Sequence, residues 1–258
     1  MKQVHIWLFC ISLLCQGMLA QTKSTEANSL GNLEENPSPQ ILTDSISYAK
    51  AIRFGTDLYR LVRSQADKNF QGWEIAADFR WLPELYIAFE MGDETHTIQR
   101  EQINFTSQGS YLKLGIDYNL YENWPGMNNQ VYLGLRYATS AHTQQVNRYL
   151  VYNRNHFWPD QETDRGHSTG LREGLSANWV EVVAGMKVEV IKNVFMGFSA
   201  RLTRLLSDQK PENFDNLYIP GFNRKTDENV FGANFNYSLT YSIPLFNGKK
   251  AKVPQSGL

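Results

Sequence analysis

Cysteine is almost missing from this 258-residue chain, which has only Cys10 and Cys15. Both lie in a segment typical of a cleaved secretory signal peptide, where Lys2 precedes the apolar run Ile6–Leu14 and the small residue Ala20 precedes the expected cut. The run is far shorter than the roughly 20 residues that a membrane-spanning helix needs. We therefore predict cleavage and a mature chain without thiols. That prediction excludes a disulfide framework, a cysteine-ligated metal and a cysteine nucleophile.

An excess of charge is also missing, because the formal net charge is -1, or -2 once Lys2 leaves with the signal segment. Nucleic acid is therefore not an expected electrostatic partner. Long apolar runs are absent after the first segment, and the mean hydropathy is -0.43, which argues against membrane-spanning helices. What remains is a soluble β-rich domain or a membrane β-barrel, whose strands turn apolar side chains to one face only.

Alternation of apolar and polar residues with a period of two is the main pattern in the rest of the chain. In Tyr111–Tyr121, Leu112 and Leu114 share one face while Lys113 and Asp117 share the other. A strand separates residues in this way and a helix cannot. We predict about eight strands, with ten as the alternative count. The others lie in Trp73–Trp81, Leu85–Gly92, Val131–Tyr137, Val180–Val190, Val194–Thr203 and Phe231–Ile243, with a less regular first strand near Ile52–Val62.

The predicted connections alternate between short and long. An up-and-down barrel in an outer membrane has short turns on one side and long loops on the other, so an even number of strands with both termini periplasmic reproduces this order. The sequence thus predicts an all-β fold, a single antiparallel up-and-down transmembrane β-barrel over residues 46–246. The short turns are Leu82–Glu84, Asn123–Asn129 and Ile191–Asn193, and the long connections are His96–Gln108, Thr143–Asn178 and Asp208–Asn229.

Polar segments flank the predicted barrel. After the signal peptide at 1–20, residues 21–45 carry Pro37 and Pro39 and show neither helical nor strand periodicity, so we predict a flexible periplasmic linker. Residues 247–258 concentrate lysines without a strand pattern, and we predict a disordered tail there.

The polar face of the strands carries charges of both signs, which favours a membrane barrel over a soluble barrel with an apolar ligand-binding interior. Opposite charges can pair across a narrow lumen. Trp73 and Trp81 lie on the apolar face, separated by roughly 20 Å once strand tilt is included, which approximates two aromatic girdles. The predicted lumen charges are Asp57, Glu74, Asp78, Arg80, Glu90, Lys113, Asp117, Arg136, Glu181, Lys187, Glu189 and Arg201.

Four long segments carry a resemblance to a known family. They are NFTSQGSYLKLGIDYNLYENWPGMNN at Asn104–Asn129, VYLGLRYATS at Val131–Ser140, ANWVEVVAGMKVEV at Ala177–Val190 and PENFDNLYIPGFNR at Pro211–Arg224. The last strand also ends in the aromatic-rich Tyr241–Phe246, like the signals used in outer-membrane assembly, although further residues follow it. Together these segments resemble the short outer-membrane β-barrels of unknown function found in Bacteroidota. The resemblance implies an outer-membrane location and supplies no biochemical role.

No motif defines a catalytic, cofactor or metal site, and we predict no cofactor and no metal. The histidines outside the signal segment are His96, His142, His156 and His167, all in or beside predicted loops. The alternative function is a lipid-modifying enzyme at the barrel rim, for which His142 with Ser140 is the least implausible pair of base and nucleophile. His156 and His167 with their acidic neighbours match no compact metal-ligand spacing.

An eight-stranded interior is only wide enough to be filled by side chains, so an open pore is disfavoured. The sequence therefore predicts a structural or binding barrel that contacts outer-membrane lipid and presents its loops outside the cell. Phe214, Tyr218 and Phe222 accompany amide side chains in one long loop and are candidates for contact with an extracellular glycan or protein. The interpretation that we prefer is that these rings pack the loop over the barrel mouth.

Overall fold

The computed structural model describes residues 46–123, 127–151, 161–162, 169–211, 215–224 and 230–250. Eight long strands, three two-residue strands and one helix account for most of these residues. In chain order they are β1 (Ile46–Asp57), α1 (Leu58–Ala66), β2 (Phe70–Arg80), β3 (Leu85–Gln99), β4 (Ile103–Asn119), β5 (Gln130–Val151), β6 (Gln161–Glu162), β7 (Gly170–Ile191), β8 (Val194–Asp208), β9 (Tyr218–Ile219), β10 (Asn223–Arg224) and β11 (Phe231–Lys250).

The long strands β1, β2, β3, β4, β5, β7, β8 and β11 form a closed ring. Each pairs antiparallel with the next one in the chain, and β11 pairs back onto β1. Because the ring is closed, each strand has a hydrogen-bonded neighbour on both sides over most of its length. The prediction of a single antiparallel up-and-down barrel of about eight strands is confirmed.

The outer face of the barrel carries an apolar band. Alternate side chains are exposed by a third to a half or more from Leu112 on β4 to Leu120 just after it, and from Val131 to Tyr137 on β5. The β4 stretch corresponds to roughly 20 Å along the barrel axis at a strand tilt of about 40°. Beyond the band the outward residues of β5 are polar, as at Thr139, Gln145 and Asn147. The band is therefore shorter than the strands.

The two ends of the barrel differ. At one end, which we call the turn end, short connections join β2 to β3, β4 to β5 and β7 to β8. At the other, the α1 end, lie helix α1, the turn at residues 100–102 between β3 and β4, and the connection from β8 to β11 that contains β9 and β10. Non-strand elements are thus concentrated at the α1 end.

Helix α1 replaces the second half of the predicted first strand near Ile52–Val62, which is wrong beyond Asp57. Asp57 is the N-cap of the helix, and its Oδ1 accepts a hydrogen bond from the Tyr59 backbone N–H at 2.9 Å. The segment Leu58–Ala66 is rich in Leu, Arg, Gln and Ala, which favour a helix. Among the described residues, no helix has the length and apolar character needed to cross a membrane.

Two of the predicted loops contain more strand than the apolar pattern indicates. Most of His96–Gln108 is strand, because β3 continues to Gln99 and β4 begins at Ile103. Likewise, β5 and β7 extend far into Thr143–Asn178. Ladder hydrogen bonds join backbone groups, so pairing continues beyond the apolar band, where both faces of a strand are polar. The third long connection, between β8 and β11, is present as predicted.

Strand β11 continues past Phe246, where the sequence pattern predicts the end of the barrel. Its last residues, Asn247–Lys250, pair with Ile46–Ala49 at the start of β1. The prediction of a disordered tail is therefore wrong for this stretch, because backbone pairing with β1 extends the strand without an apolar pattern. Residues 1–45 and 251–258 lie outside the described residues, so signal cleavage and the linker stay predictions.

Candidate functional site

The middle of the barrel interior holds a network of buried charges. Arg201 Nη1 lies 2.5 Å from Glu90 Oε2 and 3.4 Å from Glu181 Oε2. Lys113 Nζ lies 3.0 Å from Glu181 Oε1, to which Trp179 Nε1 donates a hydrogen bond at 2.7 Å. None of these five residues is more than 7% exposed. Because two carboxylates face two cations, each buried ion has a partner of opposite sign.

Two further acidic residues are paired in the interior toward the turn end. The Asp78 carboxylate forms ion pairs with Arg53 Nε and Lys187 Nζ, each at 2.6 Å. The Asp117 carboxylate contacts both terminal nitrogens of Arg136, at 2.8 and 2.9 Å. Paired contacts between a guanidinium and a carboxylate fix orientation as well as charge. Lys187 on β7 thereby ties β2 to the far side of the barrel, whereas the other two pairs join neighbouring strands.

A third cluster gathers around Glu94 and Glu74 at the α1 end. Arg60, from α1, forms an ion pair with Glu94 and lies 3.5 Å from Glu74 Oε2. Tyr218 donates a hydrogen bond to Glu94, and Tyr111 Oη donates one to Glu74 Oε2 at 2.6 Å. Burial and the Glu94 carboxylate raise the pKa of the Tyr218 phenol well above its ordinary value, so the phenol stays a hydrogen-bond donor. A helix and a loop residue both reach into the barrel to complete this cluster.

The segment Tyr218–Phe222, which we call the plug, fills the barrel mouth at the α1 end. All of its residues are buried, and Phe222 meets the Trp179 ring edge-on at a centroid distance of 5.8 Å. Gly221 has a φ of 80°, and a Cβ at this position would lie 2.5 Å from the Tyr111 ring. Both the backbone conformation and the close approach require glycine here.

The space left in the interior is small. A cavity beside Glu90, Arg136 and Arg201 has a volume of about 20 Å³, and a second, beside Arg53 and Tyr86 at the turn end, about 40 Å³. A water molecule needs about 10–15 Å³ of such volume. In the part of the chain that the structure describes, these interior cavities therefore have room for a few water molecules and for nothing larger.

Ten of the twelve predicted lumen charges are buried in the interior, and Arg80 and Glu189 are only half-buried. Arg80 Nη2 donates a hydrogen bond to the Pro83 carbonyl at 2.7 Å, and Glu189 Oε1 accepts one from the Asn193 backbone N–H at 2.7 Å. Arg80 and Glu189 lie near the ends of β2 and β7, so their side chains bond to the turns that follow these strands. The central network is built without them.

The predicted aromatic residues have two different environments. Trp73, in the first half of β2, and Trp81, directly after its last residue, are 41% and 54% exposed on the outer face. Tyr218 and Phe222 are buried in the plug, so their rings pack the loop over the mouth and are not presented to an external partner. Phe214 lies outside the described residues.

The pair His142 and Ser140 gains no support as a catalytic site. Both face the interior from β5 and are buried, and His142 Nε2 lies 3.3 Å from Asn216 Oδ1. No hydrogen bond joins His142 to Ser140 among the described residues, and a substrate at the rim would not reach them. In the same part of the chain, no group of three or more acidic or histidine side chains is arranged to hold a metal. His156 and His167 are not among the described residues.

Three interior residues that take part in these ion pairs, Arg53, Arg60 and Glu94, are missed by the sequence patterns. Glu94 lies just beyond the predicted strand Leu85–Gly92, although extending its period of two would have placed Glu94 on the inner face. Arg53 lies on the same strand face as the predicted lumen residue Asp57, but the apolar pattern around it is irregular. Arg60 carries no strand signal because it belongs to α1.

Fold and interior together define a class of protein: a closed eight-stranded antiparallel β-barrel with an apolar band outside and a charge-filled interior. Residues 2–248 match the family described as Domain of unknown function (DUF6048). The chain belongs to that family.

The chain is also similar to two solved structures. Its identity is 12% to the structure titled "Crystal structure of Neisserial surface protein A (NspA)" and 10% to that of Ail, the attachment invasion locus protein of Yersinia pestis. In each case the alignment covers 77% of this chain and 97% of that chain, with a TM-score of 0.35. None of the curated proteins matches it.

Proposed function

We propose that this protein spans a bacterial outer membrane as a closed barrel that acts by binding and does not conduct solutes. The observation that supports this proposal is the apolar band on the outer face, opposite a charge-filled interior. Leu114, Leu133 and Val182 are 51%, 50% and 53% exposed on that face. An apolar surface that encircles a soluble protein would be left in water, whereas lipid buries it.

The dimensions of the band support the same proposal. Its height of roughly 20 Å is close to the apolar band of about 25 Å on outer-membrane barrels. Trp73 and Trp81 lie near its two edges, where amphipathic rings are favoured. The predicted signal peptide and the resemblance to Bacteroidota outer-membrane barrels point to the same compartment. In this orientation the turn end is periplasmic and the α1 end faces outward.

Binding is favoured over transport because the interior is occupied. The described cavity at mid-barrel has a volume of about 20 Å³, and the charges around it are already paired. The expected partner is outer-membrane lipid around the band. Contact of the loops with an extracellular glycan or protein remains a prediction, and no observation favours a lipid-modifying enzyme at the rim.

Fractionation and conductance measurements test this function together. We expect the mature chain in the outer membrane, with faster gel migration before boiling than after it, because the folded barrel resists detergent. Reconstituted in a planar bilayer, it should give no steady conductance. Recovery as a soluble periplasmic protein would contradict the membrane location, and stable channels would contradict the filled interior. An empty-vector membrane preparation serves as the control for both.

A further inference from the structure

The barrel wall is incomplete at one seam near the α1 end. The register pairs Thr56 with Ile75 on β2 and Asp57 with Ser238 on β11, and β1 ends there. Strands β2 and β11 both continue further toward the α1 end, so their last residues have no strand between them. Helix α1 stands in this gap, which we call the seam.

The helix is hydrogen-bonded to only one side of the seam within the described residues. Ser64 Oγ donates to the Gly72 carbonyl at 2.9 Å and accepts from the Gly72 backbone N–H at 2.8 Å. Thr56 Oγ1 donates to the Glu74 carbonyl at 2.8 Å. These side chains replace the ladder partner that β2 lacks. Among the described residues no hydrogen bond joins α1 to β11, and a cleft lies between the helix and this strand.

The cleft has a volume of about 510 Å³, within the range of small-molecule sites. Its outer part is apolar, and its inner part is polar. The apolar lining is Tyr59, Phe198, Ala233, Phe235 and Tyr237, and the polar lining is Arg63, Asn223 and Asn234.

A smaller cavity of about 50 Å³ shares five of these lining residues and reaches further inward. Its inner lining includes Arg60, Glu94 and Tyr218, which are already bound to one another. The outer cleft is therefore the part with room for a ligand.

The lining residues suit an amphipathic ligand that enters the cleft laterally from the bilayer. Phe235 and Tyr237 are 63% and 53% exposed on the outer face and continue the apolar band of β11. Arg63 has a 28% exposed side chain, with Asp67 Oδ2 at 3.7 Å and His96 Nε2 at 3.2 Å. The Arg63 guanidinium suits a phosphate, and the rings suit an acyl chain.

We propose that the seam binds one anionic phospholipid, with an acyl chain against Phe235 and Tyr237 and the phosphate at Arg63. The proposal rests on the proposed membrane location, since only a barrel in a bilayer presents this cleft to lipid. The hydrogen bonds and ion pairs of the helix reach β2 and β3, on the side away from the cleft. The seam is thus a binding site in the wall, distinct from the loops and from the filled interior.

Native mass spectrometry of the full mature protein, released from nanodiscs, tests the site. The discs contain phosphatidylcholine with a minority of phosphatidylglycerol. We expect the wild type to retain one phosphatidylglycerol. Ala233→Trp fills the cleft and should lose that lipid, whereas the control Ala184→Trp, on the exposed outer face of β7, should keep it.

A second pair of variants tests the phosphate contact. Arg63→Gln should retain phosphatidylglycerol about tenfold more weakly, as expected for one lost charge-assisted hydrogen bond. Arg100→Gln removes the same charge from an exposed turn at the same end and should have no effect. Equal retention by all four variants would overturn the proposal, as would displacement of the lipid by inorganic phosphate alone. Insertion of each variant is checked by heat-modifiable migration, so failure of the barrel to enter membranes is distinguished from failure of the site.

Discussion

The middle of the barrel and its α1 end are filled by different means. In the middle, Glu181, Lys113 and Arg201 come from strands of the wall, and both cations pair directly with Glu181 in the interior. At the α1 end, Arg60 comes from a helix and Phe222 from the plug, and both are inserted between strands. At mid-height, side chains of the wall strands themselves fill the interior. At the mouth, the interior is filled by residues from segments outside the strand ladder.

The largest expected effect comes from breaking the central network with Glu181→Leu. Lys113 and Arg201 would remain buried with one carboxylate fewer, which costs about 3–5 kcal/mol of unfolding free energy. Urea titration in lipid vesicles measures this loss. Glu189→Leu is the matched control, because Glu189 is half-buried at a turn and should cost about 1 kcal/mol. Similar losses in both variants would show that the network is not the main interior support.

A smaller effect is expected from Gly221→Ala in the plug. The added Cβ would meet the Tyr111 ring, and together with a φ of 80° we expect a loss of about 2 kcal/mol. Hydrogen exchange should accelerate in the plug while the strands at mid-barrel stay protected.

Gly174→Ala separates backbone strain from packing. Gly174 has a φ of 71°, but nothing lies within 4 Å of a Cβ built there. This control should therefore cost only the strain, about 1 kcal/mol, and leave the plug unchanged. If Gly174→Ala loosened the plug equally, the mouth would not depend on the close contact with Tyr111.

The smallest effect is expected from Ser64→Ala at the seam. Both hydrogen bonds to Gly72 would be lost, and the Gly72 amide should exchange about fivefold faster, with little change in global stability. Gln65→Ala, one residue along and exposed, is the control and should leave that amide unaffected. Unchanged exchange of Gly72 in Ser64→Ala would mean that the Ser64 hydrogen bonds do not hold the helix to β2.

The wall of the barrel was predictable because a half-buried strand leaves a period of two in the sequence. Lys113 and Asp117 alternate with Leu112 and Leu114, and this division alone placed the first two inside. The pattern is lost where both faces of a strand are polar, as around Gln145. For this reason, strand ends were predicted as loops although their backbone pairing continues.

The mouth and the seam were less predictable because they depend on contacts between distant parts of the chain. Tyr218 reaches Glu94 only once the barrel has closed, and the sequence offers no spacing that joins them. The short helix leaves a weak signal, since Arg60 and Arg63 face the interior side and Leu61 and Val62 lie outward. Asp57 as an N-cap was the available signal that the first strand ends early.

The wall is much taller on one side than the membrane proposed around it. Strands β5 and β7 each contain 22 residues, whereas a crossing needs about 9–11. At a tilt of about 45° each spans roughly 50 Å along the axis, of which the apolar band takes roughly 20 Å. Two strands further round the ring from β7, β11 keeps apolar outward residues up to Phe231. A large molecule arriving from outside would meet this protruding sheet well above the bilayer, while a lipid diffusing in the plane would reach the low side, where α1 stands.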